Sequence, residues 1–253
     1  WMERAADRSV KRRLEDTAAA DLEIWIFSGV GNTGGDGLVI ARLLIALGFK
    51  GRTFGLEFST NYSPDFNINL KRLRDQGYEP GFIRDASDCP DIPDSCWIID
   101  AIFGTGLSRA PGGWLREVIA QINRSPSRVI SIDFPSGLFS EVPVEDPESI
   151  VKASLTLTFQ QPKLVFLLPS AYQFVGQWEI LDIGLSDDFI EQLEDCHELV
   201  DHQLARQFLR QKRRFDHKGT AGHSLLMGGR FGKIGAGRLA SKAALRAGSG
   251  LVS

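Results

Sequence analysis

Short apolar runs alternate with helical patterns along the first two-thirds of the chain. Six runs have the length and composition of buried strands; they are Ile24–Phe27, Arg52–Leu56, Trp97–Asp100, Val129–Ile132, Leu155–Phe159 and Trp178–Leu181. The helical patterns between them are Leu38–Leu47, Asn67–Gln76 and Trp114–Asn123. Strands that alternate with helices are typical of a mostly parallel sheet covered on both faces. The pattern therefore predicts an α/β fold, a Rossmann-like three-layer domain.

The pattern changes between Ser186 and Phe215, where charged residues become frequent. Two short helical patterns lie in this stretch, at Phe189–Leu193 and Leu204–Leu209. After it, a strand followed by glycines leads into the helical pattern Gly235–Ala247. We interpret the charged stretch as a connecting region that ends the first domain.

A domain boundary near residue 200 follows from this change. We expect residues 1–199 to form the first domain, and residues 200–253 to form a connector and the incomplete beginning of a second α/β domain. Apolar residues recur at helical spacing from Met2 to Leu14 with no capping residue before them, and a strand begins close to Ser253. We therefore expect the chain to be an interior fragment of a longer product.

The bulk composition argues against several classes of partner. Hydrophobic residues make up 43% of the chain, charged residues make up 24%, and the formal net charge is -3, so no nucleic-acid or membrane partner is expected. The one basic run, Arg210–Arg214, is interpreted as a solvated segment. No apolar run has the length of a membrane span. Cys89, Cys96 and Cys196 lack metal or disulfide spacing, which predicts free thiols and a cytoplasmic location.

Candidate chemistry is concentrated in three polar or glycine-rich segments, each of which begins where a predicted strand ends. They are Gly29–Gly37, Asp100–Leu107 and Asp133–Gly137. Ligands of parallel α/β sheets bind beyond the carboxyl ends of the strands, so we expect the three segments to meet in one crevice. The first offers backbone N–H groups and a helix N-terminus, which suit a phosphate-bearing ligand. Asp133 precedes a proline-stiffened turn and suits a general acid or base.

The glycines of the first segment also fit the motif of another class of enzyme. Gly29, Gly31 and Gly34 fit the dinucleotide fingerprint G-x-G-x-x-G. Glu57 ends the next strand near the position expected to bind a ribose. This interpretation predicts an NAD(P)-dependent oxidoreductase, although the additional run Gly35–Gly37 is no part of the fingerprint. A nucleotide-binding module without catalysis is the other alternative, so the reaction stays open at this level.

Three motifs in a fixed order carry a family resemblance. They are GNTGGDG at residues 31–37, DAIFGTGL at residues 100–107 and DFPSGL at residues 133–138. They resemble the GNNGGDG, DALFGTGL and DIPSGL motifs of the N-terminal, YjeF-type domain of NAD(P)H-hydrate epimerases. Several motifs in the right order are far more specific than any one of them.

The resemblance covers about residues 1–185. Leu157–Phe159 with Pro162–Lys163 is similar to a later TF-x-x-PK segment of the family, and Trp1–Ala6 is similar to its LMERAG helix. It implies an isomerase that interconverts the R and S forms of NADH or NADPH hydrated at the nicotinamide ring, which is repair of a damaged cofactor. The partner it implies is this small-molecule substrate. A homo-oligomer is also expected, in which the opening helix is buried against a second subunit.

The resemblance also implies a set of site residues. The hydrate would be bound by Asn32, Thr33, Gly34, Gly35, Asp36, Gly104, Thr105, Gly106, Leu107, Ser108, Arg109, Ala110 and Asp133. Asp133 would be the catalytic residue. A potassium ion would be held by Thr33, Asp100 and Ser136, whose side chains offer hard oxygen atoms. Thr33 departs from the family pattern, which has asparagine at this position.

The end of the chain carries a second resemblance. Residues 213–253 resemble the start of a ribokinase-like NAD(P)H-hydrate dehydratase, the domain that follows the epimerase in fused bacterial proteins. The resemblance implies that the full-length product dehydrates the S form with ADP or ATP as cofactor. The family's nucleotide-phosphate site and catalytic aspartate come later in that domain, so we expect this chain not to dehydrate by itself.

Overall fold

The computed structural model describes most of the chain. The described residues are 22–107, 109–140, 146–190, 192–193, 197, 199–209 and 213–253. They belong to two compact units, divided between Gln192 and Leu193. The helix expected from Met2 to Leu14 lies outside the described residues, as do Ser108 and Cys196.

Within the described residues of the first unit, seven strands form a sheet in the order β3-β2-β1-β4-β5-β6-β7. They are β1 Glu23–Ser28, β2 Lys50–Leu56, β3 Gly81–Ile83, β4 Trp97–Ala101, β5 Arg128–Ile132, β6 Leu155–Phe159 and β7 Gln177–Leu181. Every neighbouring pair is parallel. The strand order reverses between β1 and β4, which makes their carboxyl ends the topological switch point. The predicted Rossmann-like α/β fold is confirmed.

Helices connect these strands. In the first unit they are α1 Asn32–Ala46, α2 Pro64–Asp75, α3 Trp114–Arg124, α4 Tyr172–Val175 and α5 Asp187–Ile190. Short 3-10 turns lie at Ala86–Asp88, Pro147–Ser149 and Leu164–Leu167. The predicted strands all form, but β3 was not predicted from the sequence, because three residues are too few to show a periodic pattern.

Two helix boundaries differ from the sequence pattern for physical reasons. Helix α1 begins at Asn32, although the apolar pattern starts only at Leu38. Glycine has a low helix propensity, so the glycine-rich first turn gave no helical signal. Helix α2 begins at Pro64 because the Ser63 hydroxyl accepts a hydrogen bond from the N–H of Phe66 at 3.1 Å. A serine cap followed by proline is a favourable helix start.

The sheet has a hydrophobic core on each face. Ile26 packs in one cluster with Leu38 of α1 and Phe66 of α2. Its neighbour Phe27 packs in the opposite cluster with Val118 of α3. Because successive strand residues point to opposite faces, strands buried on both sides must be apolar throughout. This is why the strands were visible in the sequence as continuous apolar runs.

The second unit contains a smaller parallel pair. Strands β8 (His223–Ser224) and β9 (Leu251–Val252) pair in parallel, with helix α7 (Gly235–Ala247) between them in the chain. Helix α6 (His202–Phe208) precedes them. This strand–helix–strand order is that of an α/β domain. Its assignment to a ribokinase-like domain that begins at residue 200 stays a prediction.

We expect Gly34→Ala to destabilise the first unit by at least about 2 kcal/mol. A Cβ on Gly34 would lie 1.7 Å from the carbonyl oxygen of Gly29, and a backbone atom at that distance moves only if the turn moves. Urea denaturation of both proteins measures the loss. Gly31→Ala is the matched control, because a Cβ there meets nothing within 4 Å and the loss should stay below about 1 kcal/mol. Equal losses in the two variants would contradict the steric explanation.

Candidate active site

The turn after β1 brings the N-terminus of α1 to the switch point. Gly31 is the N-cap and makes no side-chain hydrogen bond to the first turn of the helix, so the first N–H groups lack a side-chain acceptor from the cap. The N–H of Gly29 donates to the carbonyl of Ala101 at 3.0 Å. A Cβ on Gly29 would lie 1.9 Å from the Ile102 oxygen. Backbone therefore packs directly on backbone between the β1 and β4 ends.

Thr33 packs against the second motif. Its Oγ1 lies 2.3 Å from the place that a Cβ on Gly104 would occupy, so glycine is needed there to make room for the hydroxyl. The ring of Phe103, the residue before Gly104, contacts the ring of Phe58 with a centroid distance of 4.8 Å. The second motif is thus held between the helix N-terminus and the chain that follows β2.

Asp100 is a fully buried carboxylate at the end of β4. Its Oδ2 accepts hydrogen bonds from the Ser131 hydroxyl at 2.7 Å and from the Ser136 N–H at 2.9 Å. Its Oδ1 accepts from the Ser136 hydroxyl at 2.5 Å and from the Ile102 N–H at 3.3 Å. Burial raises the pKa of Asp100, and these hydrogen bonds oppose the rise. Four donors fill the acceptor positions of one carboxylate.

Ser136 joins the second motif to the third. Besides donating to Asp100, its hydroxyl accepts a hydrogen bond from the N–H of Phe103 at 2.8 Å. The turn that carries Ser136 is anchored beneath by Phe134 and Leu138, which are buried in a third hydrophobic cluster. Apolar packing of Phe134 and Leu138 and the hydrogen bonds of Ser136 to Asp100 and Phe103 therefore hold the third motif in place.

Asp133 is held in a strained backbone conformation at the end of β5. Its φ is +62°, in the left-handed region that residues other than glycine rarely adopt. The N–H of Phe134 donates to the carbonyl of Ile132 at 2.7 Å across this residue, which makes a tight three-residue turn. Strain of this kind is found where a side chain must be aimed at a ligand. The Asp133 side chain is 18% exposed, so a ligand can reach it.

Asp36 is a second carboxylate in the same region. It lies in the first turns of α1 and is only 9% exposed. Burial, with smaller contributions from the charges of Asp133 and Asp65, raises the pKa of Asp36 to about 7. A carboxyl group with this pKa both holds and releases a proton near neutral pH. Sequence analysis placed Asp36 among the binding residues and did not foresee its protonation behaviour, which depends on burial.

The structure brings together most of the site residues predicted from the sequence. Those described at the carboxyl ends of β1, β4 and β5 are Asn32, Thr33, Gly34, Gly35, Asp36, Asp100, Gly104, Asp133 and Ser136. The loop that follows Gly104 is largely solvent-exposed, as Thr105, Gly106, Arg109 and Ala110 show, whereas Leu107 is half-buried. Ser108 lies outside the described residues. The individual roles of all these residues stay predictions.

Lys163 was not predicted from the sequence as a site residue. Its Nζ lies 3.3 Å from Oδ1 of Asp133. The available signal was the Pro162–Lys163 pair after β6, which is similar to a family segment but by itself indicates no role.

Glu57 is already engaged inside the protein. Its carboxylate accepts hydrogen bonds from the Tyr62 hydroxyl and from Nε of Arg84. The Tyr62 hydrogen bond is the main reason that the pKa of Glu57 is lowered, and Arg84 adds to it. A carboxylate held by these two groups is poorly placed to bind a ribose. This weighs against the oxidoreductase interpretation.

The potassium ligands expected from the resemblance form a set of hard oxygen atoms. Thr33 and Ser136 stand on either side of the Phe103–Gly104 segment, and Asp100 contacts Ser136. The chemistry of this donor set fits a hard monovalent cation. In the described residues, no group of three or more histidine, cysteine, aspartate or glutamate side chains could hold a metal ion. A cation here would depend on hydroxyl and backbone oxygen atoms as well.

The fold and the three motifs define an α/β domain whose motif residues lie together at the carboxyl edge of its sheet. Residues 1–165 match the family of the YjeF-related protein N-terminus, and the chain belongs to this family. The resemblance inferred from the sequence is thereby confirmed. No helix in the described ranges is long and apolar enough to cross a membrane.

Relatives with known names agree with this membership. The chain is 32% identical over 249 residues to the bifunctional NAD(P)H-hydrate repair enzyme Nnr of Moorella thermoacetica, a match that covers 97% of the chain and 47% of that protein. It is 32% identical over 184 residues to the NAD(P)H-hydrate epimerase of Oenococcus oeni, covering 73% of the chain and 85% of that protein. The chain thus spans about half the length of the bifunctional relatives.

A solved structure has the same fold. The crystal structure of the yeast protein ynu0 (YNL200c) superposes with a TM-score of 0.59 at 20% sequence identity, over 76% of this chain and 82% of that chain. At this identity the similarity establishes the architecture and carries no further conclusion about activity.

We expect Asp36→Asn to stabilise the protein in a pH-dependent way. The folded protein binds the Asp36 proton more tightly than the unfolded chain, because the pKa rises from 3.8 to about 7. Its contribution to the free energy of unfolding therefore falls as the pH rises from about 4 to about 7, by roughly 4 kcal/mol in all. At pH 8 the asparagine variant should be more stable than the wild type by up to about that amount, and near pH 4 the two should be equal.

Urea denaturation across this pH range measures the difference. Asp75→Asn, on the exposed side of α2, is the control and should show no comparable gain at pH 8. A stability difference between Asp36→Asn and the wild type that is the same at pH 4 and pH 8 would show that the carboxyl group does not titrate as stated.

Proposed function

We propose that this chain is an NAD(P)H-hydrate epimerase domain, an isomerase that interconverts the R and S forms of hydrated NADH or NADPH. The observation that carries the proposal is the meeting of two different carboxyl groups, Asp36 and Asp133, at the crevice formed by the family motifs. Burial raises the pKa of Asp36 to about 7, whereas Asp133 is partly exposed beside Lys163. The names of the related proteins support the same activity.

Inversion at the ring carbon can proceed by loss and re-addition of water. The hydroxyl group on that carbon takes up a proton and leaves as water, with the ring nitrogen supplying electrons to form an iminium. Water then adds to the other face and returns one proton, so the reaction needs no oxidant. A positioned carboxyl group can give and take this proton. We assign the exchange at the ring hydroxyl to Asp133 and the storage of a proton at neutral pH to Asp36.

The glycine motifs bind the remainder of the substrate in this proposal. The N-terminus of α1 presents the N–H groups of Asn32, Thr33 and Gly34, which precede the first intrahelical bond from Gly35 to Gly31, and these groups suit the pyrophosphate. The loop from Gly104 to Ala110 would cover the nicotinamide end. Thr33, which packs against Gly104, would link the two binding segments. Direct backbone contact at the glycines keeps this surface rigid when a ligand binds.

Potassium would be a structural cofactor of this site. Thr33, Asp100 and Ser136 would hold it, and its charge would offset that of the buried Asp100 carboxylate. In the structure the Ser136 hydroxyl donates to Asp100, so an ion at this carboxylate would compete with that hydrogen. The threonine offers a shorter reach than the asparagine of the family pattern.

We propose that the chain belongs to a longer protein with a second activity. The bifunctional relatives are named for NAD(P)H-hydrate repair, and this chain matches about half of their length. Residues 200–253 would begin the dehydratase domain, with ADP or ATP as its cofactor. We also propose a homo-oligomer that acts in the cytoplasm, in keeping with the buried free thiols of Cys89 and Cys96.

The decisive experiment uses a prepared mixture of R- and S-NADH hydrate. A stand-alone S-specific dehydratase first consumes the S form, this chain is added, and the absorbance at 340 nm is followed. A renewed rise well above the spontaneous rate is the expected result. No acceleration, with hydrate binding retained, would replace the proposal by the non-catalytic binding module. Oxidation of intact NADH with a second substrate would favour the oxidoreductase instead.

Asp133→Asn should lower the epimerisation rate by about 100-fold or more, because an amide cannot exchange the proton. Asparagine tolerates the left-handed backbone as well as aspartate does, so the melting temperature should be nearly unchanged. Asp75→Asn is the control that alters an exposed aspartate and should keep the full rate. A wild-type rate in Asp133→Asn would remove Asp133 from the chemistry.

Potassium should accelerate epimerisation when compared with tetramethylammonium at equal ionic strength. Thr33→Val, which replaces the hydroxyl with a methyl group of similar size, should raise the potassium concentration for half-activation by about tenfold, because an oxygen ligand is lost. Thr33→Asn, which restores the residue of the family pattern, should lower it. Rates that are the same in both salts for all three proteins would show that this site uses no potassium.

A further inference from the structure

The ammonium group of Lys163 contacts three groups of the protein. Lys163 follows β6 and precedes the 3-10 turn Leu164–Leu167, and its side chain is 25% exposed. Its Nζ lies 3.3 Å from Oδ1 of Asp133, 3.2 Å from the carbonyl oxygen of Phe159 and 3.3 Å from that of Gln161. An ammonium group has three N–H donors. The two carbonyl oxygens accept hydrogen bonds from the ammonium group, and its positive charge pairs with the Asp133 carboxylate.

We infer that Lys163 is a positioning residue that fixes the orientation of the Asp133 carboxylate and so presents Oδ2 to the substrate. The inference rests on the proposed function and deepens it. It assigns Lys163 no contact with the substrate, because two of its N–H groups donate to carbonyl oxygens and its charge pairs with Asp133.

All the described contacts of the Asp133 side chain engage the same oxygen. Oδ1 lies 3.1 Å from the N–H of Phe159, 3.3 Å from the Thr158 hydroxyl and 3.3 Å from Nζ of Lys163. Within the part of the chain that the structure describes, these contacts fix the rotation of the carboxylate. The oxygen opposite them, Oδ2, is the one free to exchange a proton with the substrate.

The loop after β6 is shaped to hold the lysine in this place. Gln160 has a φ of +60°, and the N–H of Gln161 donates to the carbonyl of Phe159 at 2.7 Å. This tight turn brings two carbonyl oxygens, of Phe159 and Gln161, to the same ammonium group. The side-chain oxygen of Gln160 accepts from the N–H of Ile183 at 3.0 Å, which ties the loop to the chain beyond β7.

The positive charge of Lys163 explains why a lysine occupies this position. Of the two other contacts of Oδ1, the Phe159 N–H at 3.1 Å is an ordinary hydrogen bond and the Thr158 hydroxyl at 3.3 Å is a long one, and both donors are neutral. A positive charge beside Oδ1 adds an attraction that distinguishes this orientation of the carboxylate from one rotated by half a turn. Because both groups are partly exposed, solvent weakens the pair, and we expect a moderate effect on rate rather than on folding.

A double-mutant cycle tests the inference. Lys163→Met should lower kcat for epimerisation by about tenfold and leave KM nearly unchanged. In the Asp133→Asn background the same change should have almost no effect, because the group through which Lys163 acts is gone. Lys163→Arg, which keeps the charge, should retain more of the rate than Lys163→Met. Lys71→Met, on the exposed side of α2, is the control and should keep the full rate.

Two results would overturn the inference. One is a wild-type rate in Lys163→Met. The other is a tenfold loss that persists in the Asp133→Asn background, which would mean that Lys163 acts on the substrate or on the loop alone. If the wild type shows no epimerisation at all, the proposed function fails, and the positioning role is then decided by crystallography. The structure of Lys163→Met should show the Asp133 carboxylate turned away from the Phe159 N–H; an unchanged carboxylate would refute the role.

Discussion

The arrangement of the site depends on one buried carboxylate, Asp100. Burying a charge without partners is costly, and here four hydrogen bonds from β5, from the turn after β5 and from the chain after β4 offset that cost. The same bonds satisfy the hydroxyls of Ser131 and Ser136, which are themselves buried. Two strands and two loops are therefore held in one mutual position by a single group. The relative position of the second and third motifs is consequently set by a buried group of the core as well as by the loops.

Around this anchor, two further carboxylates have contrasting surroundings. Asp36 is buried in the first turns of a helix, where burial favours the neutral form, while Asp133 stands at a partly exposed strand end beside a lysine. Different surroundings give chemically identical groups different roles. Their closeness matters as well, since the charge of Asp133 contributes to the raised pKa of Asp36.

The sequence was sufficient for the fold and for the meeting of the motifs, because continuous apolar strands and the parallel topology dictate where strand ends lie. It was insufficient where a contact depends on register. Ser131 lies within an apolar run and gave no sign of bonding to Asp100. Lys163 reaches Asp133 only because β5 and β6 are neighbours. The predicted helix was shorter than α1 because the glycines of its first turns have a low helix propensity, and tertiary contacts stabilise those turns instead.

Steric contacts also limit which positions of the glycine turn can accept a larger side chain. At Gly29 and Gly34 an added Cβ would meet backbone oxygens at 1.9 Å and 1.7 Å, whereas at Gly31 it would meet nothing within 4 Å. Thr33 already carries a side chain that faces the neighbouring loop. Positions 29 and 34 are thus closed to any larger residue by the backbone, whereas position 31 is sterically open. A library built to alter what this surface accepts belongs at codon 31, and Gly29 and Gly34 should be kept invariant.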